Sequence, residues 1–320
     1  MSVQYDEFEL IARFRAPFPE SDRRTLPLGP GDDAALLAVP PGQLLAITTD
    51  TLVGGRHFPV VMPAAAVGWR ALAVNLSDLA AMGAQPYVFQ VALTLPWADG
   101  EWLAACGQGM ARLAAEAGAM LSGGNISRGE LALTITALGF VPEAQALRRS
   151  GGQAGDGIYV SGQIGLAAAG LARALRLAAH EWPDLPACLS GGAGADLGRY
   201  ATPVPRNALG IALRGVASAA LDISDGLFAD LGHLCLASGV GAHLHSSAIP
   251  VPVGADVLAA ATAGDDYELC FTVPPMREPM LAEIAQRSAL PLTRIGEVVA
   301  GSGISIDGES SHAHGGYRHF

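Results

Sequence analysis

Through residues 1–147 the apolar positions switch repeatedly between the spacing of a helix and that of a strand. A chain patterned this way buries both kinds of element only by packing helices on sheets, which confines it to α/β or α+β architecture. The spacing predicts a helix near Asp6–Phe14, a glycine-rich GPGDDAALLAV leading into a strand, and a second strand in QLLAITTD. A helix follows from Pro63 to Met82, with Trp69, Leu72, Leu76 and Leu79 near one side. Strand YVFQVALTL, a helix from about Asp99 to Ala117 and strand LALTITALGFV complete the run. LSGGNISRG, before that last strand, reads as a glycine corner closing the helix.

RRSGGQAGDG at 148–157 is glycine-dense and has no apolar period, so it divides the chain into domains 1–147 and 148–320. The second domain opens with strand IYVSG and a helix through GLAAAGLARAL. Trp182 to Arg206, rich in proline and glycine, reads as a long surface loop. A helix near Asn207–Ala219, strand ALDIS, helix LFADLGHLCLAS, strand YELCFTV, a short helix and strand LTRIGEVV follow. The tail is rich in histidine and glycine, and His312, His314 and His319 lack a ligation spacing.

Composition removes several function classes. A net charge of −11 argues against a nucleic-acid surface. The longest uncharged stretch, Leu79–Ala98, is broken by Gly83, Pro86 and Pro96, so no membrane span is expected. Cys106, Cys188, Cys235 and Cys270 are far apart and read as reduced thiols of a cytoplasmic protein; the N-terminus lacks a signal sequence. All 19 basic residues are arginine, so lysine Schiff bases and a P-loop lysine are unavailable.

The acids lie where acids are costly. Asp50 ends AITTD, Asp78 lies inside AVNLSDLAAM, and Asp222 and Asp225 fall in ALDISDGLF. Asp32 and Asp33 follow a glycine turn, and Asp265, Asp266 and Glu268 lie in AGDDYELCF. Each cluster touches apolar sequence with few arginines nearby, so bound metal is the economical neutraliser, and oxygen donors suit Mg²⁺. Singly, each has a plain structural explanation, such as a turn or a helix cap. Together they point to a polymetal site and, with a glycine corner beside it, to phosphoryl chemistry.

GPGDDAALL, TTDTLVGGRHF, AVNLSDLAAMGAQP, ALDISDGL and GDDYELCF, in this order, resemble the thiamine-monophosphate kinases of the AIR synthetase-like (PurM-like) superfamily. The resemblance runs from FELIARF to GGYRHF. It implies a two-domain α/β (α+β) fold whose N-terminal sheet pairs with a second subunit's in a homodimer. It also implies direct transfer of the ATP γ-phosphate to thiamine monophosphate, with metal and positioning catalysis rather than a catalytic side chain. Asp33, Thr48, Thr49, Asp50, Asp78, Asn125, Asp222 and Asp225 would be metal ligands for several Mg²⁺ ions. Gly124, Asn125, Arg149 and Ser224 would lie along ATP, and His57, Asp265 and Tyr317 would face the substrate.

Two positions depart from the family pattern. Asn125 stands where the family commonly has aspartate, and Asp265 where it often has glutamate. The alternatives are another ATP-dependent enzyme of the superfamily and a catalytically weak thiamine-phosphate binding protein.

Overall fold

The computed structural model describes residues 5–19, 26–30, 33–192 and 194–310. Asp32, Tyr317 and the tail histidines His312, His314 and His319 lie outside them. The chain runs α1 (Glu7–Arg15), β1 (Gln43–Val53), α2 (Ala64–Ala81), β2 (Gln85–Leu95), α3 (Gly100–Ala117), β3 (Met120–Arg128) and β4 (Ala132–Pro142). It continues with β5 (Gly157–Ser161), α4 (Leu166–Ala174), α5 (Leu185–Ser190), α6 (Ala195–Ala201), α7 (Asn207–Ala212), β6 (Ala219–Asp222) and α8 (Leu227–Ser238). The last elements are β7 (Gly241–Leu244), α9 (Val257–Thr262), β8 (Leu269–Val273), α10 (Met280–Ser288), β9 (Leu292–Val299), β10 (Gly303–Ile306) and β11 (Glu309–Ser310). Two compact units result: one of 1–79, 86–140 and 172–203, the other of 80–85, 141–171 and 204–320.

In the first unit a four-stranded sheet has the order β1-β4-β2-β3, with β2 and β3 parallel across α3. Local signals explain the helix ends. Asp6 and Glu9 form a capping box at α1, Asp99 caps α3, and Gly118 ends α3 in a left-handed conformation. Helices α2 and α3 cross closely because a Cβ at Gly68 would strike the Cys106 carbonyl, and one at Gly109 the Ala65 carbonyl. Leu133, Ile135 and Ala137 alternate along β4 toward the buried side. On the other side Thr49 meets Thr136 at 3.0 Å and Thr51 meets Thr134 at 2.8 Å, while Ile47 is 63% exposed. One sheet face is therefore covered and much of the other is open.

Three expectations change in this unit. LSGGNISR is no corner after a helix but strand β3 itself. GPGDDAALLAV forms no strand among its described residues; Leu28 and Leu36 make an isolated bridge. Leu26, Ala35 and Leu37 instead pack on Tyr87, Phe140 and Leu138 at one end of the sheet. Trp182–Arg206 is no surface loop either. Helices α5 and α6 form within it, and Leu197 and Tyr200 are fully buried. The segment docks through its polar backbone: Trp69 Nε1 donates to the Pro203 carbonyl at 2.8 Å. Arg70 donates to the Tyr200 carbonyl at 2.7 Å, with its guanidinium 4.4 Å over the Tyr200 ring. Contacts so distant in sequence leave no local signature.

The second unit is a seven-stranded mixed sheet, order β11-β10-β7-β9-β5-β8-β6. Strands β5 and β8 are buried at every position, as central strands covered on both faces must be. Alternate residues feed two cores. Ile158, Val160 and Cys270 join Phe228, Leu231 and Leu234 of α8 on one face. Tyr159, Phe271 and Val273 join Leu209 of α7 and Leu281 and Ile284 of α10 on the other. Helix α7 is shorter than the sequence suggested, ending at Ala212.

Candidate active site

In the first unit the site begins with a buried amide. Asn75 of α2 is fully buried; its Oδ1 accepts the Asp50 backbone N–H at 3.1 Å and its Nδ2 donates to the Ala71 carbonyl at 3.1 Å. The side chain thereby locks β1 against α2. Asp78, three residues further along the same helical face, accepts a hydrogen bond from the Thr48 hydroxyl. Thr48 and Asp50 share one side of β1, so Thr48, Asp50 and Asp78 form one half-buried oxygen-rich group. Thr49 points to the opposite face and bonds Thr136. Of the two threonines expected to supply oxygen contacts, only Thr48 reaches this group with its side chain.

His57 sits in the turn after β1, where its Nδ1 accepts the Val53 N–H at 2.9 Å. That bond leaves the neutral ring's proton on Nε2. Tyr200 donates to the His57 carbonyl at 3.3 Å, tying this turn to the α5–α6 segment. Asp33 is exposed in a bend. Gly124 and Asn125 pair with Val91 and Ala92 across β3 and β2. A Cβ at Gly124 would overlap the Val91 carbonyl oxygen, so close strand pairing already demands this glycine. Asn125 is exposed beside exposed Ala92, on the sheet face opposite the one Gly124 and Ile126 share.

In the second unit two loops are joined through their backbones. Asp222 ends β6 and is buried, and Ser224–Gly226 leads into α8. The Asp265 N–H donates to the Ser224 carbonyl and the Tyr267 N–H to the Ile223 carbonyl, both at 2.8 Å. These bonds bring Asp222, Asp225 and Ser224 beside Asp265. Asp230, one turn into α8, folds back so that its Oδ2 accepts the N–H groups of Ser224, Asp225 and Gly226 at 3.0, 3.0 and 3.2 Å. Burial pushes its carboxyl up to about 6, against the three N–H bonds that favour the anion. Asp230 is a loop-shaping residue that sequence reasoning missed. Its sequence signal was an aspartate inside the apolar run LFADLGHL, four residues past the glycine that starts the helix.

The other acids of GDDYEL are neutralised without metal, which corrects the sequence argument for that cluster. Glu268, 1% exposed, accepts from Arg206 Nε and Nη2 at 2.8 and 2.6 Å and from Ser161 Oγ at 2.5 Å. Asp266 accepts the Gly165 N–H at 2.7 Å and the Ala167 N–H at 3.5 Å, at the start of α4. Asp265 is half-buried and accepts from the Tyr267 hydroxyl at 3.1 Å. Arg149 is exposed, and its carbonyl accepts from Ser238 at the far end of α8, so Ser224 and Arg149 are not gathered together.

Among the described residues no three His, Cys, Asp or Glu side chains gather closely enough to hold a metal ion. The donor chemistry nonetheless fits Mg²⁺. Each unit presents two motif carboxylates, Asp50 and Asp78 in one and Asp222 and Asp225 in the other, accompanied by the hydroxyls of Thr48 and Ser224, and such oxygen donors suit Mg²⁺.

Residues 31–141 match the family model of the AIR synthase related protein N-terminal domain, and residues 153–309 that of its C-terminal domain. Fold and site therefore define a two-domain protein of the AIR synthase-related class. The chain is 43% identical over 303 residues to the thiamine-monophosphate kinase of Salmonella typhimurium, covering 92% of this chain and 90% of that one. It superposes on the crystal structure of thiamine-monophosphate kinase from Stenotrophomonas maltophilia with a TM-score of 0.85 and 44% identity, covering 95% of this chain and 98% of that one. A structure described as AaThiL complexed with AMPPCP and TMP matches with a TM-score of 0.77 and 30% identity, covering 90% of this chain and 91% of that one. The chain belongs to the thiamine-monophosphate kinase family.

Proposed function

We propose that the protein phosphorylates thiamine monophosphate with ATP, giving thiamine diphosphate and ADP. The near full-length match to kinases of that activity carries this reading. A phosphate monoester has a second pKa near ~6, so its oxygen is largely ionised at neutral pH and needs no general base. That oxygen attacks the γ-phosphorus in line, and the bond from the γ-phosphorus to its bridging oxygen breaks as ADP leaves. The absence of lysine is no obstacle to such a reaction, whose difficulty is bringing two anions together.

Mg²⁺, when bound, supplies the charge that offsets the polyphosphate. Asp33, Thr48, Asp50, Asp78, Asn125, Asp222 and Asp225 are the residues we assign to it; the side chain of Thr49, on the opposite sheet face, is left out, and Thr48, Asp50 and Asp78 already share one surface. Gly124, Asn125, Arg149 and Ser224 are assigned to ATP. His57 is assigned to the substrate phosphate, while Asp265 opposes the thiazolium charge or accepts from the ring amine, and Tyr317 contacts the organic ring.

The finer assignments follow the same reading. A second copy of the chain covers the open threonine face of the four-stranded sheet, making a homodimer. Along the chain we assign the domains 1–147 and 148–320, with 172–203 returning to pack in the first compact unit. Four free, buried cysteines accord with a cytoplasmic setting, and among the described residues no helix is long and apolar enough to cross a membrane.

The test supplies purified protein with Mg-ATP and thiamine monophosphate, free thiamine or aminoimidazole precursors. Thiamine diphosphate formed from the monophosphate alone is the expected result. Turnover of a different acceptor, or tight binding without turnover, would overturn the reading.

A further inference from the structure

Tyr267 lies two residues beyond Asp265, is 8% exposed, and donates its hydroxyl proton to Asp265 Oδ1 at 3.1 Å. Both residues hold left-handed backbone, with φ of 71° at Asp265 and 49° at Tyr267. Neither is glycine, and a bulky side chain in that region persists only where its surroundings fix it. The surroundings do so on both sides. Asp266 is tied to the start of α4, Glu268 to Arg206 and Ser161, and the backbone N–H groups of Asp265 and Tyr267 to the β6–α8 loop. The alternation of the segment sends Asp266 and Glu268 into the unit and leaves Asp265 and Tyr267 together.

We propose that Tyr267 is a positioning residue for substrate recognition. It fixes the plane and reach of the Asp265 carboxylate toward the organic, cationic part of the substrate. The proposal rests on the reading that Asp265 contacts thiamine monophosphate. A carboxylate carried by the shorter aspartate side chain has fewer rotamers but less reach than glutamate, so a fixed direction matters more to it. A hydrogen bond from a buried phenol supplies that direction at little entropic cost, because the ring is already held by packing.

Tyr267→Phe removes the hydroxyl and keeps the ring. The expected result is a rise of roughly tenfold in KM for thiamine monophosphate, with kcat, KM for ATP and Tm unchanged. Calorimetric binding of thiamine monophosphate to the AMPPCP-loaded protein should weaken by the same factor. Asp265→Asn should also raise KM, and adding Tyr267→Phe to it should cost little more, because the two act as one unit. An unchanged KM in Tyr267→Phe beside a raised KM in Asp265→Asn would overturn the role of Tyr267 alone. Fully additive losses would overturn it too. An unchanged KM in Asp265→Asn would instead overturn the assignment of Asp265 on which the proposal rests.

Discussion

At the scale of single residues, the site is built from side chains that hold backbone as much as from side chains that face solvent. Asp230 is the clearest case, with one buried oxygen serving three consecutive N–H groups. Asp230→Ala leaves those donors without their acceptor and should cost about 3 kcal/mol of unfolding free energy in urea titrations. Asp230→Asn, which keeps a carbonyl oxygen in place, should recover a good part of that loss. Equal stability of the alanine variant and the parent would show that the loop needs no such anchor. The sequence pointed to Asp222, Asp225 and Asp265 because aspartates beside apolar runs are unusual. It could not separate them from Asp230, Asp266 and Glu268, whose partners are amides and an arginine distant along the chain. Asn125 shows the same limit: the face a strand residue takes depends on register and pairing, and LSGGNISR was not legible as a strand at all.

At the scale of elements, most helices and strands were readable because their periods and caps are local. α8 coincides with LFADLGHLCLAS, and β9 with LTRIGEVV. The α5–α6 segment was not, because short helices between prolines and glycines carry little period and are held by Trp69 and Arg70 instead. The joint of β5, β8 and the α7 start depends likewise on a distant ion pair. Arg206→Ala strips Glu268 of its bidentate partner while leaving it buried, and should destabilise the protein by about 3 to 5 kcal/mol in denaturant unfolding. A change below about 1 kcal/mol would mean that Ser161 alone satisfies the carboxylate.

Cysteine burial gives a prediction about pH. Burial pushes Cys106 up to about 12 and Cys188 and Cys235 to about 11 from an ordinary 9, and raises Cys270 as well. Unfolded thiols ionise first as pH rises, so the stability these groups contribute is complete below pH 9 and is lost as pH climbs through 11. Thermal unfolding should therefore shift down across that interval. At pH 8 a thiol with pKa near 11 is thiolate at roughly one part in a thousand, so iodoacetamide should leave the native protein unlabelled by mass spectrometry. Rapid labelling of Cys106 or Cys270 without denaturant would contradict their burial.

At the scale of the whole molecule, each of the two compact units carries its own group of motif carboxylates. The first gathers Thr48, Asp50 and Asp78, and the second holds Asp222, Asp225 and Asp265 on two loops tied together. The family was legible from the ordered motifs, which demand particular residues at particular places whatever the surrounding sequence does. The open threonine face of the four-stranded sheet should be covered by a second copy, so sedimentation should give a dimer mass, and Thr49→Arg should lower it toward that of one chain. The proposed kinase activity toward thiamine monophosphate depends on the carboxylates of these motifs. Its most direct measurement follows thiamine diphosphate by chromatography in parent and Asp78→Ala protein, with Mg-ATP and thiamine monophosphate and with folding verified by circular dichroism. Steady formation by the parent and a loss of at least about a hundredfold in the variant are the expected result. Equal rates in the two proteins, or no product from the parent, would contradict it.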